Sequence, residues 1–156
     1  MADNALYWPN YLGESGADGE PVTSWYTSRE HVVKRLRRGD RLWLFVAGDA
    51  IEDAEDSHRA YVAQLMVVDE WRDNPDYDPD VKGSSRFVII ANEDRCILVQ
   101  PPLLVDHIFR QSSAGPEHHI GLIRQTPFVL DGSQEGEMLG LLREHRPDVY
   151  KVATQA

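Results

Sequence analysis

Three observations predict an α+β domain built on one small, curved, mostly antiparallel sheet or barrel with flanking helices. Apolar runs of strand length cluster in the middle of the chain: "RLWLFVA" (41–47), "AYVAQLMVVDEW" (60–71), "RFVIIA" (86–91) and "CILVQ" (96–100). Stretches with helical spacing lie on either side of them. The length of 156 residues, 42% of them hydrophobic, fits a single domain over 1–156 with a core of ordinary size.

"ALYWPNY" (5–11) predicts a short strand that Pro9 confines to an edge or ends. A polar loop, "GESGADGEPVTS" (13–24), follows and carries Trp25 and Tyr26 at its end. Thr27-Ser28-Arg29-Glu30 fits a capping box, so a helix is expected from Thr27, with Val32, Val33 and Leu36 as its apolar stripe and Gly39 just past its end. "RLWLFVA" is apolar on both faces, as a central strand is. Pro101-Pro102 predict the start of a short helix over 101–111. "HIGLIRQTPFVL" (119–130) reads as strand or extended chain. "SQEGEMLGLLREH" (133–145) reads as a helix with Met138, Leu139, Leu141 and Leu142 inward, stopped by Pro147.

Net charge is −10, which argues against strong, sequence-blind binding to a nucleic-acid backbone. The charge is uneven, however. "KRLRRGDR" (34–41) holds five of the 16 basic residues, whereas "DAIEDAED" (49–56) and "DEWRDNPDYDPD" (69–80) hold five and six acids. A polyanion would have to approach the basic face, although basic residues are also favoured at a helix C-terminus by its dipole. No window is long and apolar enough to span a membrane. Nothing at the start of the chain resembles a secretion signal, and the single cysteine, Cys96, forms no internal disulfide. The cytoplasm is the expected compartment.

Chemical signatures fail on spacing. There is no G-x-S-x-G elbow, no G-x-x-x-x-G-K-[ST] loop and no G-x-G-x-x-G turn, so no enzyme activity is expected. The adjacent His118 and His119 lack metal-ligand spacing to a further ligand. Asp76, Asp78 and Asp80 alternate like a calcium loop, but Val81 and Phe87 stand where that loop needs Gly and an acid. Pro75-Asp76 with Asp80-Val81-Lys82 does not have the paired-strand spacing of a nuclease site. No metal and no cofactor are expected.

The aromatic residues remain. Trp43 reads as core and Trp71 as a rim or packing residue, while Trp8, at a strand end, suits core or site equally. Trp25 stands among Thr23, Ser24, Thr27 and Ser28, off any buried stripe. It is either a lid folded over the sheet or the wall of an aromatic pocket, where stacking on a base contributes about 1–3 kcal/mol.

The order of elements is similar to that of the EVE domains of the PUA-like superfamily, relatives of YTH and ASCH domains. A first strand with "YW" precedes a loop whose Trp stands before a helix. That helix ends "LRRGD" and runs into "RLWLFVA", then "YVAQLMVVDEW". "HHIGLIRQTPFVLDGSQEGEMLGLL" resembles EVE-like modules found beside restriction nucleases. Where EVE domains carry a Tyr-His-Ser-like segment, this chain has "FVAGD", and the ASCH pattern Gly-x-Lys-x-x-Glu-x-Arg is absent.

The resemblance implies a small barrel with flanking helices and a non-enzymatic module. Such a module takes one methylated or hydroxymethylated base of DNA or RNA into an aromatic cage, with any cutting left to a nuclease or effector partner. It makes Trp25 the main stacking wall and Tyr26 and Trp8 candidate second walls. Asn10, Thr27 and Ser28 become candidate hydrogen-bonding groups, and Arg35, Arg37, Arg38 and Arg41 candidate phosphate contacts. Two other readings stay open: an acidic interaction or regulatory domain with Trp25 as lid, and a binder of free nucleosides or other small molecules.

Overall fold

The computed structural model describes residues 2–9, 11–13, 19–51, 59–109 and 128–155. Among the described residues seven strands form one sheet: β1 (Asp3–Tyr7), β2 (Ser24–Thr27), β3 (Arg41–Ala47), β4 (Ala60–Asp73), β5 (Phe87–Ala91), β6 (Ile97–Leu104) and β7 (Phe128–Val129). The helices are α1 (Glu30–Arg35), α2 (Gly132–His145) and α3 (Pro147–Ala153). The strand path β2-β5-β4-β3-β1-β7 is open, and β6 adds to β4. The fold is α+β and mostly antiparallel. The exception is β1, which lies parallel to β3 through a crossover that contains β2 and α1.

β3 is central because both of its faces are apolar, and all seven of its residues are buried. Trp43, Phe45 and Ala47 enter one core, while Leu42, Leu44 and Val46 enter another on the opposite face. β4 follows the same division until a bulge between Val62 and Gln64 puts Ala63 and Gln64 on one side. β5 and β6 run one after the other along the edge of β4 away from β3, joined through the Asn92 N–H donated to the Val67 carbonyl.

The two cores are closed differently. α2 and α3 cover the first with Met138, Leu142, Val149 and Ala153. The Asp131–Gln134 capping box starts α2, and Pro147 both ends it and opens α3. The second core is covered by Val33 and Leu36 from the α1 segment, by Trp8 and Tyr11, and by the half-buried Trp25 and Val22. The buried Gln64 amide holds Val22 there: its Oε1 accepts from the Val22 N–H (2.9 Å) and its Nε2 donates to the Val22 carbonyl (2.7 Å).

Three local expectations are corrected. Thr27 ends a strand and does not start a helix: α1 begins at Glu30, and the Thr27 hydroxyl accepts from the Arg29 N–H (3.1 Å). Pairing with β5 satisfies the backbone of 24–27, which no local pattern reveals. Residues 101–104 continue β6 and form no helix, because proline disfavours helical conformation in the residue before it and is tolerated at a sheet edge. The chain then makes a short 3-10 turn at Asp106–Phe109. α3 was not expected at all. Of the stretch 119–130, only 128–130 lie within the described residues, with Phe128–Val129 as β7.

Candidate binding site

Trp25 and Tyr26 are consecutive residues of β2, so their side chains leave opposite faces of the sheet. Trp25, opposite Ile89, packs against the second core, whereas Tyr26, opposite Val88, is 57% exposed on the outer face. They cannot form two walls of one pocket. Thr27 is engaged at the turn into α1. The Ser28 hydroxyl accepts from the Arg86 N–H (3.1 Å) and donates to the Ser84 carbonyl (3.4 Å), tying that turn to the loop before β5.

The basic cluster is also divided. Arg41 is 4% exposed and ion-paired with Asp3 (2.5 Å) and Glu135 (2.8 Å), and it donates to the Ala153 carbonyl (2.9 Å). Asp3 further accepts from the Trp43 indole (2.9 Å). Arg35 donates twice to the buried Asn4 Oδ1 (3.2 and 2.9 Å), and its burial lowers its pKa. Neither is presented to a phosphate, because each is consumed in joining β1 to the neighbouring elements. Arg37 and Arg38 remain at the surface. Arg37 caps the Lys34 and Leu36 carbonyls and Arg38 faces Asp69 (3.3 Å).

The Gly39-Asp40 turn is where the sequence placed it. Gly39 has φ +92°, a conformation that suits glycine, and donates to the Val68 carbonyl (2.9 Å). The buried Asp40 carboxylate accepts from the Ala2 N–H (3.0 Å) and the Arg37 N–H (2.9 Å), and its carbonyl accepts from Val68 (2.8 Å). This turn fixes the entry to β3.

At the other end of β3 lies a small concavity. β1 and β3 are parallel neighbours, and the Trp8 N–H donates to the Phe45 carbonyl (2.9 Å), so their carboxyl ends finish together. A pocket of about 230 Å³ opens there, lined by Tyr7, Trp8, Tyr11, Leu12 and Asp49 with the aliphatic Val46, Ala47 and Ala50. Crevices at the carboxyl ends of parallel strands are a recurrent place for ligands. Trp8, 1% exposed, is the floor, and Tyr11 meets it edge-on with ring centroids 5.1 Å apart. Burial raises the Tyr11 pKa. Leu12, 68% exposed, and the exposed Asp49 stand at the mouth.

Of the expected site residues, only Trp8 lines this pocket, and Asn10 lies outside the described residues. Tyr11, Leu12 and Asp49 were missed. Their signal is the joint ending of two parallel strands, and a parallel pairing is not visible in either strand's own residues.

The basic turn and the pocket are at opposite ends of β3. A seven-residue strand separates them by roughly 20 Å at about 3.3 Å per residue. A second, open groove of about 540 Å³ lies on the outer face of β2 and β5, beside Tyr26. Among the described residues, no three His, Cys, Asp or Glu side chains are grouped as metal ligands, and His118 and His119 lie outside the described residues. Burial pushes the Cys96 thiol up to about 11, so at neutral pH it is a thiol and a poor nucleophile. No helix among the described residues is long and apolar enough to cross a membrane. No family model matches the chain, and no curated protein matches it either.

Proposed function

We propose that the chain is a PUA-like module of the EVE type that binds one base, methylated or hydroxymethylated, in the pocket at the carboxyl ends of β1 and β3. The observation that carries this reading is the pocket itself: aromatic walls with one carboxylate at the mouth and aliphatic residues able to take a methyl group. A flat heteroaromatic ring gains from contact with aromatic faces. Asp49 supplies an acceptor for an exocyclic amine. Trp25, packed on the second core, acts as a lid in this reading, and the buried Trp8–Tyr11 pair backs the pocket. A role for Tyr26, Thr27 and Ser28 at the base is not part of it.

The base can belong to a free nucleoside or to a strand. The roughly 20 Å between the pocket and Arg37 and Arg38 leaves phosphates next to the base out of their reach and favours the free nucleoside. The test is fluorescence titration with 5-methylcytidine, 5-hydroxymethylcytidine, N6-methyladenosine and the unmodified nucleosides, alongside single-stranded oligonucleotides carrying the same bases. Leu12→Ala should weaken binding by about 1 kcal/mol through lost apolar contact. Asp49→Asn should weaken it by about 1–3 kcal/mol for a base that donates to the carboxylate. Both residues are exposed, so the fold should survive. A salt slope near zero identifies the free nucleoside, and about −0.7 per contacted phosphate identifies the strand. No binding to any of these probes, or equal binding by both variants and the wild type, overturns the proposal.

A further inference from the structure

The groove beside Tyr26 shares no lining residue with the pocket at the ends of β1 and β3. Its floor is the apolar outer face of β5, Val88 and Ile90, and one wall is the exposed ring of Tyr26. Among the described residues, Asp73, Asp76 and Glu93 also line it, against a single cation, Arg72. Arg72 faces Glu70 (3.9 Å), and none of the three lining carboxylates has an ion-pair partner among the described residues. The groove therefore combines an apolar floor, an aromatic face and a net negative rim.

The backbone adds an independent observation. Among the described residues, β2 is the last strand on its side of the sheet. Thr23 accepts from the Ala91 N–H, and the same register sends the N–H and C=O of Trp25 and Thr27 toward β5. The N–H and C=O of Ser24 and Tyr26 consequently point away from β5, to the free edge. An unpaired edge is a template for an added extended chain, whose alternate side chains would share the face that carries Tyr26.

We propose that the free edge of β2 and this groove dock an extended segment of a partner protein that alternates arginine with apolar residues. The segment's backbone pairs with Ser24 and Tyr26. Its guanidinium groups lie over the Tyr26 ring and face the carboxylates of the rim, contacts that suit arginine better than any neutral side chain.

The experiment is fluorescence anisotropy with the whole chain and three labelled hexapeptides: (Val-Arg)3, (Val-Ser)3 and (Val-Glu)3. (Val-Arg)3 should bind at least tenfold more tightly than the other two and should weaken as salt is raised. Tyr26→Ala should lower its affinity about fivefold. Asp73→Asn with Asp76→Asn and Glu93→Gln should lower it about tenfold and flatten the salt dependence. All four residues are exposed, and unchanged thermal melts check that the variants fold. N-methylation of alternate amides on the peptide's pairing edge should abolish binding while leaving its charge intact. Equal binding of the three peptides, wild-type binding by both variants, or full binding of the N-methylated peptide would overturn the proposal.

Discussion

The two faces of the sheet are built from the same central strands but closed by different means. On one face α2 and α3 place a layer of fully buried side chains over Trp43, Phe45 and Val62, and the Arg41–Asp3–Glu135 network fastens that layer to β1 and β3. On the other face the cover is thin: a six-residue helix, a half-buried Trp25, and a Gln64 amide standing in for a strand partner of Val22. The pocket at the carboxyl ends of β1 and β3 adjoins the thinly covered core through Trp8, Tyr11 and Val46, whereas the groove beside Tyr26 lies on the face of β2 and β5 turned away from that core. The comparison teaches that helices close one core with fully buried side chains, whereas the thin cover leaves the pocket at the carboxyl ends of β1 and β3 open beside the other.

That contrast can be broken most strongly at the buried ion pair. Asp3→Ala should cost about 3–5 kcal/mol in denaturant unfolding, because it leaves the Arg41 guanidinium and the Trp43 indole without their shared acceptor. A loss below about 1 kcal/mol would mean that the helical side is not fastened there. On the thin side Trp25→Ala should cost roughly 2 kcal/mol, less than the about 3–5 kcal/mol of a fully buried aromatic, since Trp25 is only half covered. Nucleoside binding by that variant should stay near wild type. A large loss of binding with little loss of stability would restore Trp25 as the pocket wall.

Smaller effects sharpen the picture. Gly39→Ala should cost about 1–2 kcal/mol: a side chain at φ +92° is strained, although nothing stands within 4 Å of the added carbon. Cys96 should show the least effect at neutral pH. Its thiol is held up to about 11 by burial, so alkylation in the folded state should be slow at pH 7–8 and should rise toward that pH. The sign for stability follows from the same shift. The folded pKa lies above the ordinary thiol value of 9.0, so the contribution is intact below about pH 9 and is lost as pH rises toward about 11. A Cys96→Ala variant should lack that extra loss in alkaline melts, which separates it from the titration of other groups.

The sequence by itself determined the elements whose patterns are unambiguous over their own length. "RLWLFVA" is apolar at every position and became the strand buried on both faces; "AYVAQLMVVDEW" became its long partner. Met138 and Leu142 marked an inward-facing helix stripe, although the Asp131–Gln134 capping box that starts the helix was not read, and Gly39 marked a turn that requires positive φ. These signals are local, so no partner is needed to read them.

Only the tertiary structure decided the rest, because the deciding atoms come from distant residues. Ser24–Thr27 read as a polar loop before a helix until Phe87–Ile90 supplied its hydrogen bonds, and that pairing turned Trp25 inward and Tyr26 outward. Arg41 and Arg35 counted as free positive charge until Asp3, Glu135 and Asn4 enclosed them. Tyr11 and Asp49 became neighbours of one pocket because β1 and β3 lie parallel, and that fact belongs to neither strand alone. Sequence periodicity reports which face of an element is apolar. It does not report what the other face meets, and that is what turned Trp25 inward and Tyr26 outward.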